Sequence, residues 1–259
     1  MNQGERDEML IKLRLIELRD SNSCITLRGN TFQVKSVSFM GQEFGKIPVG
    51  TIIGTSLSDA DLNRLSQIIG CSKAGVFDKA DVYINNVGYS IKSLTAAPPA
   101  LVNHTARDGW ERICSVLKIR IDELDAIIDD YWQKRKSHLI KEDVHNTDKN
   151  SPFYSHKEYL LPLINYFLFK GTGSRDSKSP ADYILDFSDP LDESTWTAHG
   201  MEYLNDNWDS LVFSLRSSKG MGNYPDISNK AKKDSMAKWT EYFQGAYKGA
   251  LHVRFKNGK

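Results

Sequence analysis

Two short strand-like segments in the middle of the chain constrain its fold more than any other stretch. Residues 80–85 and 88–94 are rich in β-branched and aromatic side chains, and polar and apolar positions alternate along them. Such alternation is typical of half-buried strands. Asn86, Val87 and Gly88 supply turn residues between the two segments. The pattern therefore predicts a β-hairpin.

Burial of one face selects the register of this hairpin. If the hairpin is symmetric about Asn86 and Val87, Asp81 lies opposite Lys92. A slip by one residue would turn polar side chains into the apolar face. Directly opposed residues have Cβ atoms roughly 5 Å apart, so we expect the carboxylate of Asp81 to meet the ammonium group of Lys92. The opposite, apolar face is formed by Val82, Ile84, Tyr89 and Ile91.

An aspartate beside a lysine on a two-stranded platform suits metal-dependent hydrolysis of a phosphodiester. Mg²⁺ takes oxygen ligands, and the carboxylate of Asp81 and the backbone carbonyl of Ile91 can supply them. Lys92 can orient a water molecule or offset the charge of the phosphate. We therefore expect a Mg²⁺ site at this hairpin.

The same residues resemble the signature of a nuclease superfamily. Asp81 followed by Ser90-Ile91-Lys92 resembles the PD-(D/E)xK motif, and residues 79–93 resemble the active-site hairpin of a type II restriction endonuclease. The resemblance implies an α/β fold with a mixed central sheet flanked by helices, dependence on Mg²⁺ and sequence-specific cleavage of double-stranded DNA. It also implies a homodimer, a cytoplasmic location in a bacterium and a partner methyltransferase.

The chain departs from the motif at two positions. Ala80 replaces the proline, and Ser90 replaces the second carboxylate, although a divalent cation facing a polyanion needs more than one fixed carboxylate. Some restriction enzymes with an SxK motif take the second carboxylate from a following helix, and this resemblance implies Glu111 as a catalytic and metal-binding residue. The alternative is that Glu111 pairs with Arg107 at i, i+4. The other candidates are Asp78, Asp108 and Glu43.

Two polar segments are candidates for contact with DNA. Residues 98–107 contain Asn103, His104 and Arg107, which can bind phosphates or base edges. Residues 171–180 contain Arg175 and Lys178, which can read guanine or hold phosphate. The alternative for both segments is an ordinary surface loop. His104 is not expected to bind metal, because no second His or Cys lies at ligand spacing.

Composition and segmentation add few constraints on function. The net charge of +1 from 34 basic and 33 acidic residues argues neither for nor against nucleic acid. The three cysteines lack C-x-x-C spacing, which is typical of a reduced cytosolic protein without zinc. The most apolar stretch, residues 160–169, is too short to span a membrane. Residues 141–150 are polar and predict a boundary between a catalytic core (1–140) and a DNA-recognition or dimerisation part (151–259), packed into one domain.

Periodicity predicts the remaining elements. Helices are expected at residues 6–19, 58–69, 121–136, 155–170 and 229–247, and strands at 24–27, 31–39, 183–187, 211–215 and 250–255.

Three other functions remain open for this sequence. They are a non-specific repair or defence nuclease of the same fold, a DNA-binding module without catalysis, and a protein-interaction domain without affinity for DNA.

Overall fold

Backbone contacts divide the chain into two units, each assembled from three segments. The structure is a computed structural model that describes residues 1–71, 75, 77–95, 100–217, 221 and 223–256. The first unit comprises Met1–Ala97, Phe169–Gly171 and Asp176–Tyr203, and the second comprises Pro98–Leu168, Thr172–Arg175 and Leu204–Lys259. The polar segment 141–150 therefore lies inside the second unit.

The first unit is built around a six-stranded mixed sheet. Its helices are α1 (Gln3–Asp20) and α2 (Asp59–Ile68), and its strands are β1 (Cys24–Leu27), β2 (Asn30–Gln33), β3 (Val37–Phe39), β4 (Gln42–Glu43), β5 (Val82–Ile84), β6 (Val87–Ser93), β9 (Tyr183–Phe187) and β10 (Thr197–His199). The strand order is β10-β9-β6-β5-β3-β4. β6 and β9 run parallel, and the other pairs in this sheet are antiparallel. Helices flank the sheet, which confirms the predicted mixed α/β class at this level.

α1 and the sheet share one hydrophobic core. The apolar stripe of α1 packs with the predicted apolar face of the hairpin, whose four members are all buried: Val82, Ile84, Tyr89 and Ile91. α1 is capped at Asn2, whose side chain accepts from the backbone N–H of Glu5, as N-terminal caps do. The helix is apolar around most of its circumference, which is typical of a buried helix.

The hairpin pairs two residues away from the predicted register. Val82 lies opposite Tyr89, so that continuing the ladder brings Asp81 beside Ser90 rather than Lys92. The prediction of directly opposed Asp81 and Lys92 was therefore wrong. A shift of two residues leaves every side chain on its original face, which is why the apolar face was nevertheless predicted correctly.

The turn residues explain this register. Asn85 and Asn86 have φ angles of 50° and 68°, the left-handed conformation that tight two-residue hairpin turns use. The predicted turn would demand the same conformation of Val87, a β-branched residue in which it is strained. The side chain of Asn85 also accepts from the N–H of Lys35 at 2.8 Å and donates to the carbonyl of Gln33 at 2.8 Å. These contacts fix the turn against the preceding segment.

The second unit contains a four-stranded antiparallel sheet and most of the helices. Its elements are α3 (Arg107–Leu117), α4 (Asp122–Lys136), α5 (Lys157–Phe169, whose last residue belongs to the first unit), α6 (Glu202–Asp206, which begins in the first unit), α7 (Lys230–Ala237), β7 (Ala100–Thr105), β8 (Val144–His145), β11 (Leu211–Arg216), β12 (Glu241–Phe243), β13 (Ala246–Lys248) and β14 (Ala250–Phe255). The strand order is β7-β14-β11-β8. On β11, the ring of Phe213 stacks on that of Phe153, with 4.3 Å between the ring centroids.

The helix predicted at 229–247 is shorter than expected. α7 ends at Ala237, and β12 and β13 form a hairpin in the remainder. Gln244 and Gly245 both take positive φ, 52° and 82°, so a tight turn replaces the last turns of the helix. Among the described residues, no helix is both long enough and apolar enough to cross a membrane.

Candidate active site

The carboxylate of Asp81 is held at the open end of the hairpin. Its Oδ2 accepts from the backbone N–H of Ile91 at 2.7 Å and from the hydroxyl of Ser90 at 3.4 Å. The Nζ of Lys92 lies 3.8 Å from the same oxygen. Oδ1 of Asp81 has no hydrogen-bond partner within the described part of the chain. The aspartate is thus fixed through one oxygen while the other remains available to a ligand.

Lys92 lies beside the parallel strand β9. Its side chain is 32% exposed, and its register partner on β9 is Asp186. Asp186 is buried and accepts from the hydroxyl of Tyr203 at 2.9 Å, with Nε2 of His199 at 3.5 Å. The carboxylate of Asp186 is therefore already engaged by Tyr203 and His199.

A second carboxylate of the same unit, Glu8 on α1, lies within electrostatic range of this pair. Burial raises the pKa of Glu8, and the charge of Asp81 raises it further, whereas Lys12 and Lys92 lower it. Glu8 accepts from Nζ of Lys12 at 2.6 Å, and the side chain of Lys12 is only 1% exposed. Sequence reasoning missed both residues. The available signal was a lysine inside the otherwise apolar run Met9-Leu-Ile-Lys-Leu13.

Lys79, which precedes the hairpin, adds a third cation to the group. Burial and the charge of Lys92 lower the pKa of Lys79 to about 8, against the opposing effect of Asp81. Two carboxylates, Asp81 and Glu8, and three lysines are thus electrostatically linked in the first unit. A surplus of cationic side chains suits a polyanionic ligand such as a phosphodiester.

Glu8 also borders an open cleft of about 330 Å³. Met1, Glu5, Met9, Asn63, Ser66 and Cys71 line the rest of this cleft. Burial raises the pKa of the Cys71 thiol to about 11, so the thiol is protonated at neutral pH. The cleft gives solvent and small ligands access to the Glu8 side of the site.

The donor set fits a magnesium ion that keeps part of its water shell. Mg²⁺ is commonly bound through one or two carboxylates with waters completing the octahedron. Asp81 and Glu8 would supply two carboxylates to such an ion, and the carbonyl of Ile91 would be a further oxygen ligand. Among the described residues, no group of three or more His, Cys, Asp or Glu side chains is placed to hold a metal ion.

Glu111 lies in the second unit, whereas Asp81 and Lys92 lie in the first. Its carboxylate accepts from the hydroxyl of Ser235 at 2.7 Å and pairs with Arg107 at 3.1 Å. These contacts lower the pKa of Glu111. The i, i+4 pair that was the alternative reading is thus formed. Asp108 is likewise occupied, by Lys232 at 3.5 Å.

Arg107 does not lie on a DNA-facing surface. Its side chain is 2% exposed, and both oxygens of Asp125 accept from it at 2.7 Å. Its remaining nitrogen donates to Ser235 at 2.8 Å. The prediction failed because the sequence around an arginine does not show whether its side chain faces solvent or binds a carboxylate on a neighbouring helix.

The other residues predicted to contact DNA are distributed over both units. Asn103 is exposed on β7, His104 beside it is half-buried, and Arg175 is exposed in the second unit. Lys178 belongs to the first unit and is exposed. It borders a second open cleft with Ser38, Met40, Gly41, Tyr83, Asn86 and Ser179. Pro98 and Pro99 of the predicted segment lie outside the described residues.

Comparisons with models of protein families, with curated proteins and with solved structures found no significant match for this chain.

Proposed function

We propose that the protein is a Mg²⁺-dependent endonuclease that hydrolyses double-stranded DNA at a specific site, in the manner of a type II restriction enzyme with a PD-(D/E)xK-like core. The observation that carries the proposal is the fixed Asp81 carboxylate, 3.8 Å from the ammonium of Lys92 on the hairpin. The spacing of Asp81, Ser90 and Lys92 in the sequence supports the same assignment.

Asp81 and Glu8 are proposed to hold the ion, with the carbonyl of Ile91 as a third oxygen. A bound Mg²⁺ would polarise the phosphate and lower the pKa of a coordinated water. Glu8 is preferred to Glu111 because it belongs to the same unit as Asp81 and responds to its charge. Glu111 is instead engaged by Ser235 and Arg107.

The lysines act on the substrate. Lys92 is partly exposed and can donate to a phosphate oxygen or hold the attacking water, since an ammonium group carries three donors. Ser90 fixes the orientation of Asp81 through its hydroxyl. Lys79 and Lys12 add positive charge that offsets the charge developing on the phosphate.

The partners implied are double-stranded DNA and a second copy of the chain. A homodimer matches the two-fold symmetry of a palindromic site, and a bacterial cytoplasm with a protecting methyltransferase fits this activity. These parts of the proposal rest on the sequence resemblance.

Incubation of the purified protein with unmethylated phage DNA and Mg²⁺ tests the proposal. Discrete fragments, absent when EDTA replaces Mg²⁺, are the expected result. Uniform digestion would instead assign a non-specific nuclease of the same chemistry. Salt-sensitive binding without cleavage would assign a DNA-binding module, and the absence of both would exclude DNA as the substrate.

A further inference from the structure

One face of the four-stranded sheet in the second unit carries a row of polar side chains. His252 on β14 lies opposite Ser214 on β11, and the ring of His104 on β7 contacts that of His252 with 4.6 Å between centroids. His252 is 7% exposed and Ser214 is 1% exposed. We call His104, His252 and Ser214 the histidine row.

Both imidazoles of the row have an unsatisfied nitrogen. Nδ1 of His104 and Nδ1 of His252 are buried and have no hydrogen-bond partner within the part of the chain that the structure describes. Buried polar groups are normally paired, and an unpaired one costs about 1–3 kcal/mol. His104 also holds a positive φ of 44°, uncommon for a residue other than glycine. The row therefore contains two orphaned polar atoms and a strained backbone at one of them.

Cationic groups flank the row. Arg216 donates from Nε to Ser214 at 2.9 Å and from one Nη to Asp143 at 2.6 Å. Arg254 donates to the other oxygen of Asp143 at 3.0 Å. Two guanidinium groups against one carboxylate leave a local charge of +1, before any protonation of the histidines. The other Nη of Arg216 has no partner among the described residues, and this side chain is 31% exposed.

This environment selects an anion rather than a metal ion. Two imidazoles beside a net positive charge make a poor cation site, and Asp143 is occupied by both arginines. A tetrahedral oxyanion, in contrast, accepts from guanidinium and imidazole N–H groups in charge-assisted bonds. We propose that Arg216 and the histidine row bind a phosphate group, and that a proton is taken up on the histidine pair when the anion binds. The phosphate is either that of the DNA backbone or a free phosphate.

The titration of the row supports the uptake of a proton. Burial, His104, Arg216 and Arg254 lower the pKa of His252 to about 4, against the effect of Asp143. Burial and Arg216 also lower the pKa of His104. Both rings are therefore neutral at neutral pH in the free protein. An anion placed among these groups raises both pKa values, so that binding of the anion and of the proton reinforce each other.

Thermal unfolding with sulfate as the probe tests the proposal, because sulfate is a tetrahedral oxyanion like phosphate and stays a dianion throughout the pH range used. Chloride at matched ionic strength is the control salt. Because sulfate also raises Tm by exclusion from any protein surface, the measured quantity is the excess of sulfate over chloride at pH 5.5 beyond that at pH 7.5, which we expect to be several degrees in the wild type. His104→Asn and Arg216→Gln should lose this excess. Arg120→Gln, which removes an exposed arginine of the same unit, should keep it.

An excess that is absent in the wild type, or that survives in both His104→Asn and Arg216→Gln, overturns the proposal. The source of the phosphate is resolved by duplex DNA binding in EDTA. Weaker binding by Arg216→Gln assigns the backbone of DNA, and unchanged binding with a lost sulfate effect assigns a free phosphate. No arm measures cleavage, so the result is independent of whether the hairpin hydrolyses DNA.

Discussion

Replacement of Arg107 by methionine should destabilise the second unit rather than weaken a DNA contact. The guanidinium is buried and makes two 2.7 Å bonds to Asp125 and one of 2.8 Å to Ser235. Methionine fills part of the volume but donates no hydrogen bond. The carboxylate of Asp125 then loses its principal counter-charge in a site that is 21% exposed.

The expected magnitude follows from what Asp125 retains. Removing one partner of a buried ion pair costs about 3–5 kcal/mol. Asp125 still accepts from Nε1 of Trp239 at 2.7 Å and keeps Lys238 at 3.8 Å, which places the loss near the lower bound. About 3 kcal/mol corresponds to a decrease in Tm of about 6–12 °C for a protein of this size.

Circular dichroism melts of three variants measure this loss. Arg107→Met should melt lower by that margin, whereas Arg120→Ala, which breaks an exposed pair with Asp122, should change Tm little. The double variant Arg107→Met with Asp125→Asn should recover much of the loss, because it removes the unpaired charge and keeps an acceptor for Nε1 of Trp239. Wild-type Tm in Arg107→Met, together with reduced affinity for DNA, would refute the structural role and restore Arg107 as a DNA contact.

Three further outcomes are expected. Gly88→Ala should lose about 1–3 kcal/mol in urea unfolding, because a Cβ there would lie 2.7 Å from the carbonyl oxygen of Pro180; an unchanged midpoint would contradict this packing. Glu8→Gln should lower Mg²⁺-supported cleavage by orders of magnitude with duplex binding retained, and full activity would remove Glu8 from the site. The neutral ring of His252, with a pKa of about 4, stabilises the fold fully above the unfolded-state pKa of about 6.5, and we expect about 3 kcal/mol to be lost as the pH falls from 6.5 to 4. His252→Asn should flatten that part of the stability profile in urea unfolding at successive pH values, and an unchanged profile would refute the assignment.

Several helices and strands were predicted accurately from the pattern of apolar residues within each segment. The capped helix over Asp59–Ile68 and the strands Cys24–Leu27, Tyr183–Phe187 and Ala250–Phe255 were predicted to within one residue at either end. In each segment, the period of the apolar residues and the flanking turn residues indicate the same element with the same ends. Consistency between propensity and burial is what makes such segments readable.

Turns were predicted less well because their geometry depends on single residues. Strand alternation in the hairpin gave the correct faces but left the register open by two residues, and only the left-handed Asn85 and Asn86 decided it. Likewise, Gln244 and Gly245 ended a pattern that otherwise reads as helix. A test for residues that tolerate positive φ would have found the Asn85-Asn86 pair and, in the second turn, Gly245 alone.

In the candidate site, too, the residues that are close in sequence were predicted and the distant one was missed. Asp81, Ser90 and Lys92 are close in sequence, and their grouping was predicted. Glu8 lies more than seventy positions before Asp81 in the sequence, with β1 to β4 and α2 between them. Its association with Asp81 depends on how α1 packs on the sheet, and no local pattern encodes that packing.

The most direct test of the central claim is the rate of Mg²⁺-dependent DNA cleavage by Lys92→Ala compared with Lys35→Ala, an exposed lysine of the same unit. Far-UV circular dichroism and duplex binding in EDTA control for folding and affinity. If Asp81 and Lys92 form the catalytic centre, Lys92→Ala loses cleavage while retaining its fold and part of its DNA binding, and Lys35→Ala cleaves like the wild type. Equal cleavage by Lys92→Ala and the wild type would contradict the assignment of the hairpin as the active site.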